Sequence, residues 1–500
     1  MKPSPGRFLL VCVLLAVLVS CANAVSGAQP KRFLQMDSGN QEPETVEAVP
    51  LQGTITVVDG DSRPGNPAPS AQRYFVREAS GVETEVMIGH EVLSAVGGAR
   101  KLNGSKVEVL LEQTESLGAG TEPPFVAAVR SLRILRGSTS RDFAKAVIGS
   151  QPWVSILCKF SDVSDEPRSR SYFQSMYAST YPGLDHYWRE LSYDNANIAG
   201  STAVVWVNLP HPVSTYESSE GGDLNALVSD CTAAANHLVY FPDFVGINMM
   251  FNDTFGPYAW GGSRYLNLDG QSRMYRVTWE PPWGYKNVSV IAHEMGHGFG
   301  LPHSNNADGD SSPYDNPWDV MSDSWGYALH DSTYGTVGKG TISYHLNILG
   351  WIPPAQKLDI SSSGIYTAMV DNLEIESTSN LRLMTVQIPD SNMYYTVEVR
   401  DLAGYDGNLP GFAVLIHEVS TTRREDAWLV DPVDPGNGAD EGAMWLSGEC
   451  FDDQENEIEI CVESVTTEGF VVRVLYGDTD SLFSDGFESG SDSSWDGSSQ

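Results

Sequence analysis

The chain has 500 residues, 41% of them hydrophobic and 19% charged, which leaves room for several domains of about 100–200 residues, at least one with a sizeable core. A formal net charge of −35 argues against nucleic acid, whose phosphates would be repelled, and suits solubility outside the cell. Internal repeats are not apparent.

In chain order, Lys2 and Arg7 precede an apolar run from Phe8 to Val19, and Ala22-Asn23-Ala24 closes it with a small-x-small cleavage pattern. Residues 1–24 therefore read as a secretory signal, too short and wrongly flanked for a membrane span. Leu18-Val19-Ser20-Cys21 also resembles the lipobox of bacterial lipoproteins, so the alternative to a soluble extracellular product is one anchored by lipid at Cys21. Cys158, Cys231, Cys450 and Cys461 remain after export. An even set in an exported chain suggests two disulfides, and proximity favours Cys158 with Cys231 and Cys450 with Cys461.

Residues 25–50 are polar, contain Pro and lack periodicity, as a linker does. Over 51–140, the short runs Thr54–Val58, Arg73–Val76, Glu85–Ile88, Lys106–Leu111 and Leu132–Leu135 are separated by turn residues, which predicts a small β-barrel or sandwich. Arg130, Arg133, Arg136 and Arg141 form a basic stretch suited to proteolytic cutting.

From 150 to 354 the pattern alternates. Trp153–Phe160 reads as a buried strand, and Tyr172–Leu191 as a helix split at Pro182-Gly183. Thr202–Val207 is a strand, Asp223–Val239 a helix and Phe244–Phe251 a strand, and Ser263–Glu280 reads as an edge strand. The alternation predicts an α+β domain with a mixed twisted sheet flanked by helices. Gly261-Gly262 could let another backbone approach closely, or simply turn the chain.

Ile291–Ser304 carries the chemistry. His293, Glu294, His297, Gly300 and His303 fit H-E-x-x-H-x-x-G-x-x-H. On a helix capped by Asn287 or Ser289, His293 and His297 stand roughly 6 Å apart along the axis and about 40° apart around it, so both reach one ion. A continuing helix would carry His303 too far away, so the chain must turn back at Gly300, with Pro302 opposing further helix. Three His ligands leave a fourth position on Zn²⁺ for water, and Glu294 beside them is placed as a general base. The loop Asn305–Asp319, with Asp308, Asp310, Asp315 and Asp319, reads as a solvated acidic turn, with Ca²⁺ binding the alternative.

These residues resemble the signature of the metzincin zinc metallopeptidases, with the tight turn Trp318–Ser322 supplying the family's methionine as Met321. Tyr187–Tyr193, Asn316–Ser322 and Asn347–Trp351 are most similar to the gametolysin and immune-inhibitor-A-like secreted peptidases, over roughly residues 150–420. The resemblance implies a secreted endopeptidase acting on proteins or peptides; the place of 51–140 between signal and protease segment suits the propeptide of a zymogen, with an accessory β-domain kept in the mature enzyme as the alternative. Astacins and serralysins have a Tyr two residues after the turn Met; here that residue is Asp323, so the role is not carried over. Residues 25–150 hold no Cys, which excludes a cysteine switch; a carboxylate such as Asp59 or Asp61 could substitute, and the sequence selects neither.

Beyond Pro354 the periodicity becomes two. Leu381–Ile388, Tyr394–Arg400, Phe412–Ile416 and Phe470–Leu475 predict a C-terminal β-sandwich over 355–477, for substrate binding or for stabilisation. Residues 478–500, rich in Ser, Gly and Asp, read as a disordered tail. A monomer is expected. The competing functional readings are a non-catalytic surface or secreted binding protein with structural zinc, and a zinc hydrolase acting on something other than peptides.

Overall fold

In the computed structural model the described residues are 50–64, 70–112, 126–135, 146–308, 312–433 and 442–477. The expected signal segment with Cys21, the polar stretch up to residue 49, Arg136, Arg141, Asp310 and the tail from 478 lie outside them. Among the described residues no helix is long and apolar enough to cross a membrane.

The strands Leu51–Ser62, Ala71–Glu78, Glu83–Met87, Ala127–Ile134 and Lys106–Leu111 close on themselves, because the first pairs with both the second and the last of that circuit. Alternation decides what fills this five-stranded barrel: Ile55, Val57, Val76, Val107 and Val109 point inward, and Leu93 from the helix His90–Val96 plugs one end.

The central sheet runs Tyr258–Leu268, Gln271–Glu280, Gly246–Phe251, Trp153–Lys159, Thr202–Asn208. Its last four strands are mutually parallel and only Tyr258–Leu268 is antiparallel to its neighbour. Every residue of Gly246–Phe251 is buried, as a parallel strand covered on both faces requires. The single edge strand expected within Ser263–Glu280 is instead a hairpin. Asp269 (φ 50°) and Gly270 (φ 75°) turn it, two positive-φ residues whose twist matches the flanking strands. Its outer strand is not an edge either: it pairs antiparallel with the barrel strand Leu51–Ser62, joining barrel and central sheet into ten strands.

Tyr172–Leu191 is two helices, Arg170–Met176 and Leu184–Leu191. The second sends Trp188 against Phe299 of the helix Val288–Phe299, ring centroids 4.8 Å apart, and Trp153 meets the same ring at 5.9 Å. Those edge-on contacts, with Val288, Ile291, Ala292 and Met295 in the same core, fix the helix on one face of the sheet. The helix Ser343–Leu349 stops at Gly350 (φ 77°), which turns Trp351 inward to donate from Nε1 to the Val147 carbonyl at 2.6 Å. Cys158 and Cys231 are joined, tying the central sheet to the helix Leu224–Ala235, and Cys450–Cys461 links two adjacent strands.

The C-terminal part has two sheets. One orders Ser304–Asn306, Ala427–Leu429, Ala413–Val419, Tyr394–Arg400, Leu383–Gln387, Lys357–Ile360; the other orders Gly364–Asp371, Gly469–Tyr476, Ile458–Val465, Cys450–Asp453. Val386, Val397 and Ile416 of the first meet Ile460, Val472 and Val474 of the second in a shared core. The first sheet begins with the strand that directly follows His303, so the middle segment shares a sheet with each of its neighbours.

Candidate metal centre

The helix Val288–Phe299 is buried along its whole length. Asn287 stands at its N-cap position without capping it: its Oδ1 accepts from the backbone N and the hydroxyl of Thr336, at 3.1 and 3.2 Å, and Ser289 is likewise occupied with Thr336. The strand Gly335–Val337 therefore anchors the helix start that local capping was expected to hold.

His293 and His297 project to one side, Nε2 to Nε2 3.0 Å. Gly300 (φ 94°, ψ 20°) ends the helix, with Leu301 N donating to Gly296 O at 3.0 Å, and the chain doubles back to place the His303 ring 4.6 Å from that of His297. Each helical imidazole is oriented by its other nitrogen: His293 Nδ1 donates to Val320 O at 2.7 Å and His297 Nδ1 to Leu301 O at 2.9 Å. Their Nε2 lone pairs are thereby left to converge. Met321 lies directly beneath, since a Cβ on Gly296 would collide with its Sδ.

Glu294 is fully buried and neither carboxylate oxygen has a protein partner. A Cβ on Gly261 would collide with the Glu294 carbonyl, so this glycine lets the helix settle onto the strand Tyr258–Leu268. Burial, reinforced by the charges of Asp61 and Glu280, pushes the Glu294 carboxyl well above the ordinary range. Glu280, also buried and unpartnered, is pushed up to about 8 by burial.

Asp61, from the barrel, completes the cluster. Its Oδ2 lies 3.1 Å from His293 Nε2 and 3.2 Å from His297 Nε2, and its Oδ1 2.7 Å from His303 Nε2. Burial opposes its charge, yet His303 and His293 hold its carboxyl well below the usual range. Tyr314 OH donates to Asp61 Oδ1 at 3.0 Å and accepts from Ser62 N at 3.1 Å. Asp59 is farther, 3.8 Å from His297 Nδ1.

The acidic loop is not solvated where it matters. Asn305, Asn306, Asn316 and Asp319 are buried. Asp319 accepts from Ser304 Oγ (2.6 Å), Thr341 Oγ1 (2.7 Å) and Met321 N (3.0 Å), with His345 Nδ1 3.1 Å away. This carboxylate is spent on holding the Met321 turn against the strand that follows His303, not turned out to a cation. Asp323 accepts from the backbone of Trp325 and Gly326, within its own turn. Beside the histidines a cavity of about 460 Å³ is lined by Trp283, Val290, Asp323, Trp325 and, from the barrel, Arg63 and Pro64.

The donor set fits Zn²⁺: three imidazole Nε2 atoms converge on one point, their Nδ1 atoms tied elsewhere in two of three, beside a buried carboxylate with no protein partner. Cys450, Glu459 and Cys461 also cluster, but the two sulfurs are bonded to each other. Asp61 stood undistinguished from Asp59 in the sequence, and Tyr314 and Glu280 carried no signal there; only the strand pairing and the return of the loop bring them in. Comparison with known protein families finds no family model that matches this chain, and no curated protein matches it.

Proposed function

We propose that the chain is an exported zinc-dependent endopeptidase of metzincin type that hydrolyses peptide bonds in proteins. The observation that carries this reading is the convergence of His293, His297 and His303 Nε2 beside the partnerless, buried carboxylate of Glu294. A zinc ion there would supply Lewis acidity toward a carbonyl oxygen and make water acidic enough to attack near neutral pH. Glu294, buried beside the histidines with both carboxylate oxygens unpartnered, takes the proton of the attacking water and passes it to the leaving amine. Tyr314 OH, which already donates to the Asp61 oxygen that lies 2.7 Å from His303 Nε2, is placed to hold the oxygen of a substrate carbonyl. An extended peptide would add antiparallel to Tyr258–Leu268, and the cavity walled by Trp283, Val290 and Trp325 would take an apolar side chain.

The test is casein hydrolysis by protein freed of residues 1–145, wild type beside Glu294→Ala, with zinc quantified in both. Activity should fall by about 10²–10⁴ at equal zinc content. No cleavage by zinc-loaded wild type across a broad peptide library would end the protease reading. Tyr314→Phe should lower kcat by about 10²-fold with little change in KM.

A further inference from the structure

We propose that a second cavity, behind the end of the metal helix, is a binding site for a small oxyanion of the size of sulfate or phosphate, held by Arg424 and Arg423. The site goes beyond the zinc reading and does not require it.

The turn 420–426 joins the strands Ala413–Val419 and Ala427–Leu429 and closes through Ser420 N, which donates to Asp426 O at 2.8 Å. Arg423 and Arg424 of this turn, with Arg100 of the short helix Ala99–Leu102, line a cavity of about 50 Å³ whose other walls include Asp59 of the barrel and Phe299–Leu301 at the end of the metal helix. With 65 acidic residues to 30 Lys and Arg in the chain, an arginine edge without an acceptor needs a cause.

The neighbouring carboxylates are already engaged. Asp426 accepts from the Tyr344 hydroxyl and lies 3.7 Å from Arg100 Nε, and Gln72 Nε2 donates to Asp59 at 2.8 Å. Glu418 accepts from Arg423 Nη1 through its carboxylate and from Nη2 through its carbonyl, both at 2.8 Å. Glu425 stands 3.6 Å from Arg424 Nε, too far for a hydrogen bond. Arg424 Nε and Nη2, and Arg423 Nε, are thus buried with no acceptor among the described residues. Nε and Nη2 form one edge of a guanidinium, the fork that takes two oxygens of one oxyanion.

Size agrees with that chemistry. At about 10–15 Å³ for each water-sized group, the cavity holds about three to five, and sulfate or phosphate presents four oxygens. The C-terminal end of the metal helix would repel an anion if its carbonyls were open, but Gly296 O accepts from Leu301 N at 3.0 Å and His297 O from Gly300 N at 2.9 Å. Bound here, the anion fastens the turn 420–426 to the barrel and to the end of the helix that carries His297.

The probe is selenate, a sulfate analogue with an X-ray absorption edge of its own. Zinc-loaded full-length protein is titrated with it by calorimetry at constant ionic strength, wild type beside Arg424→Met and Arg424→Lys, and wild-type crystals soaked in selenate are read at the selenium edge. One saturable site per chain is expected, weakened about 10-fold or more by Arg424→Met and about 5-fold by Arg424→Lys, which keeps the charge and loses the fork. Selenium density should lie beside Arg424 Nε and Nη2. Equal affinity in wild type and Arg424→Met, no saturable binding, or selenium found elsewhere as an adventitious ion only would overturn the site. Should Arg424→Met fail to fold, unweakened binding by Arg424→Lys or an empty cavity in the soaked wild-type crystal would overturn it as well.

Discussion

The barrel and the C-terminal sheets both reach the three-histidine cluster, and they reach it by different means. The barrel has a core of its own, built from Ile55, Val57, Tyr74, Val76, Val107 and their neighbours, and sends Val58 and Phe75 into the core of the central sheet, with Ala71 packed against it. Its remaining ties are a strand ladder and polar contacts such as Ser94 Oγ to Thr422 O at 3.0 Å. The C-terminal sheets have no comparable boundary. Leu373, Leu383 and Tyr405 belong to the core under the metal helix, Trp318 packs with Leu415 and Leu429, and Ile342 and Tyr344 pack with Val419 and Ala427. One partner meets the central sheet mainly through a strand ladder, and the other shares its cores with it.

Arg400 gives the strongest way to break that contrast. It is buried, donates to Asp406 from Nε and Nη2 at 2.8 and 2.6 Å, and reaches the Trp318 carbonyl at 2.6 Å, so a charge on a C-terminal strand holds the first residue of the Met321 turn. Arg400→Met would strand the carboxylates of Asp406 and Glu398 in the interior. The expected loss is about 3–5 kcal/mol of stability together with weakened zinc retention, read by urea unfolding and zinc per chain. An unchanged midpoint would show that the C-terminal sheets are an appendage after all.

A milder probe uses pH. His417, on the strand Ala413–Val419, sits within 3.1 Å of Asn316 Nδ2, and burial lowers its imidazole to about 3. The folded state therefore binds fewer protons than the unfolded chain between about 3 and about 6.5. Its contribution is complete above about pH 6.5 and is lost as the pH falls, at no more than about 1.4 kcal/mol per unit. The difference between wild type and His417→Gln isolates this residue from every other titrating group. The variant's stability should fall less steeply from pH 7 to 5, and parallel curves would show that His417 is not held neutral.

How far the sequence foretold this depends on how local each feature is. The metal helix, its stop at Gly300 and the return of His303 follow from spacing and backbone preference within a few residues, and both cysteine pairings followed from proximity. The hairpin at Asp269-Gly270 was equally local: an Asp-Gly pair between apolar runs is a strong turn signal, obscured by treating Ser263–Glu280 as one strand. Asp319 was out of reach for another reason. Four acidic residues in one loop look alike until Ser304, Thr341 and His345 arrive to select one, and those donors come from separate elements. Asp61 is the extreme case, 236 residues from His297, chosen over Asp59 by strand register alone.

The smallest effect tests the barrel's side. Arg73 in the barrel donates to the Gly222 carbonyl at 2.7 Å, forks onto Glu85 at 2.6 and 2.5 Å, and lies over the Trp260 ring at 5.5 Å. Arg73→Lys keeps the charge but loses the planar fork, at a cost of about 1 kcal/mol or less. That cost should fall on detachment of the barrel rather than on unfolding of the molecule. Amide exchange along Leu51–Ser62 should therefore quicken by about 5-fold while exchange along Gly246–Phe251 keeps its wild-type rate. If both strands quicken together, the ladder between Val58 and Gly262 does not open by itself, and barrel and central sheet are one cooperative unit.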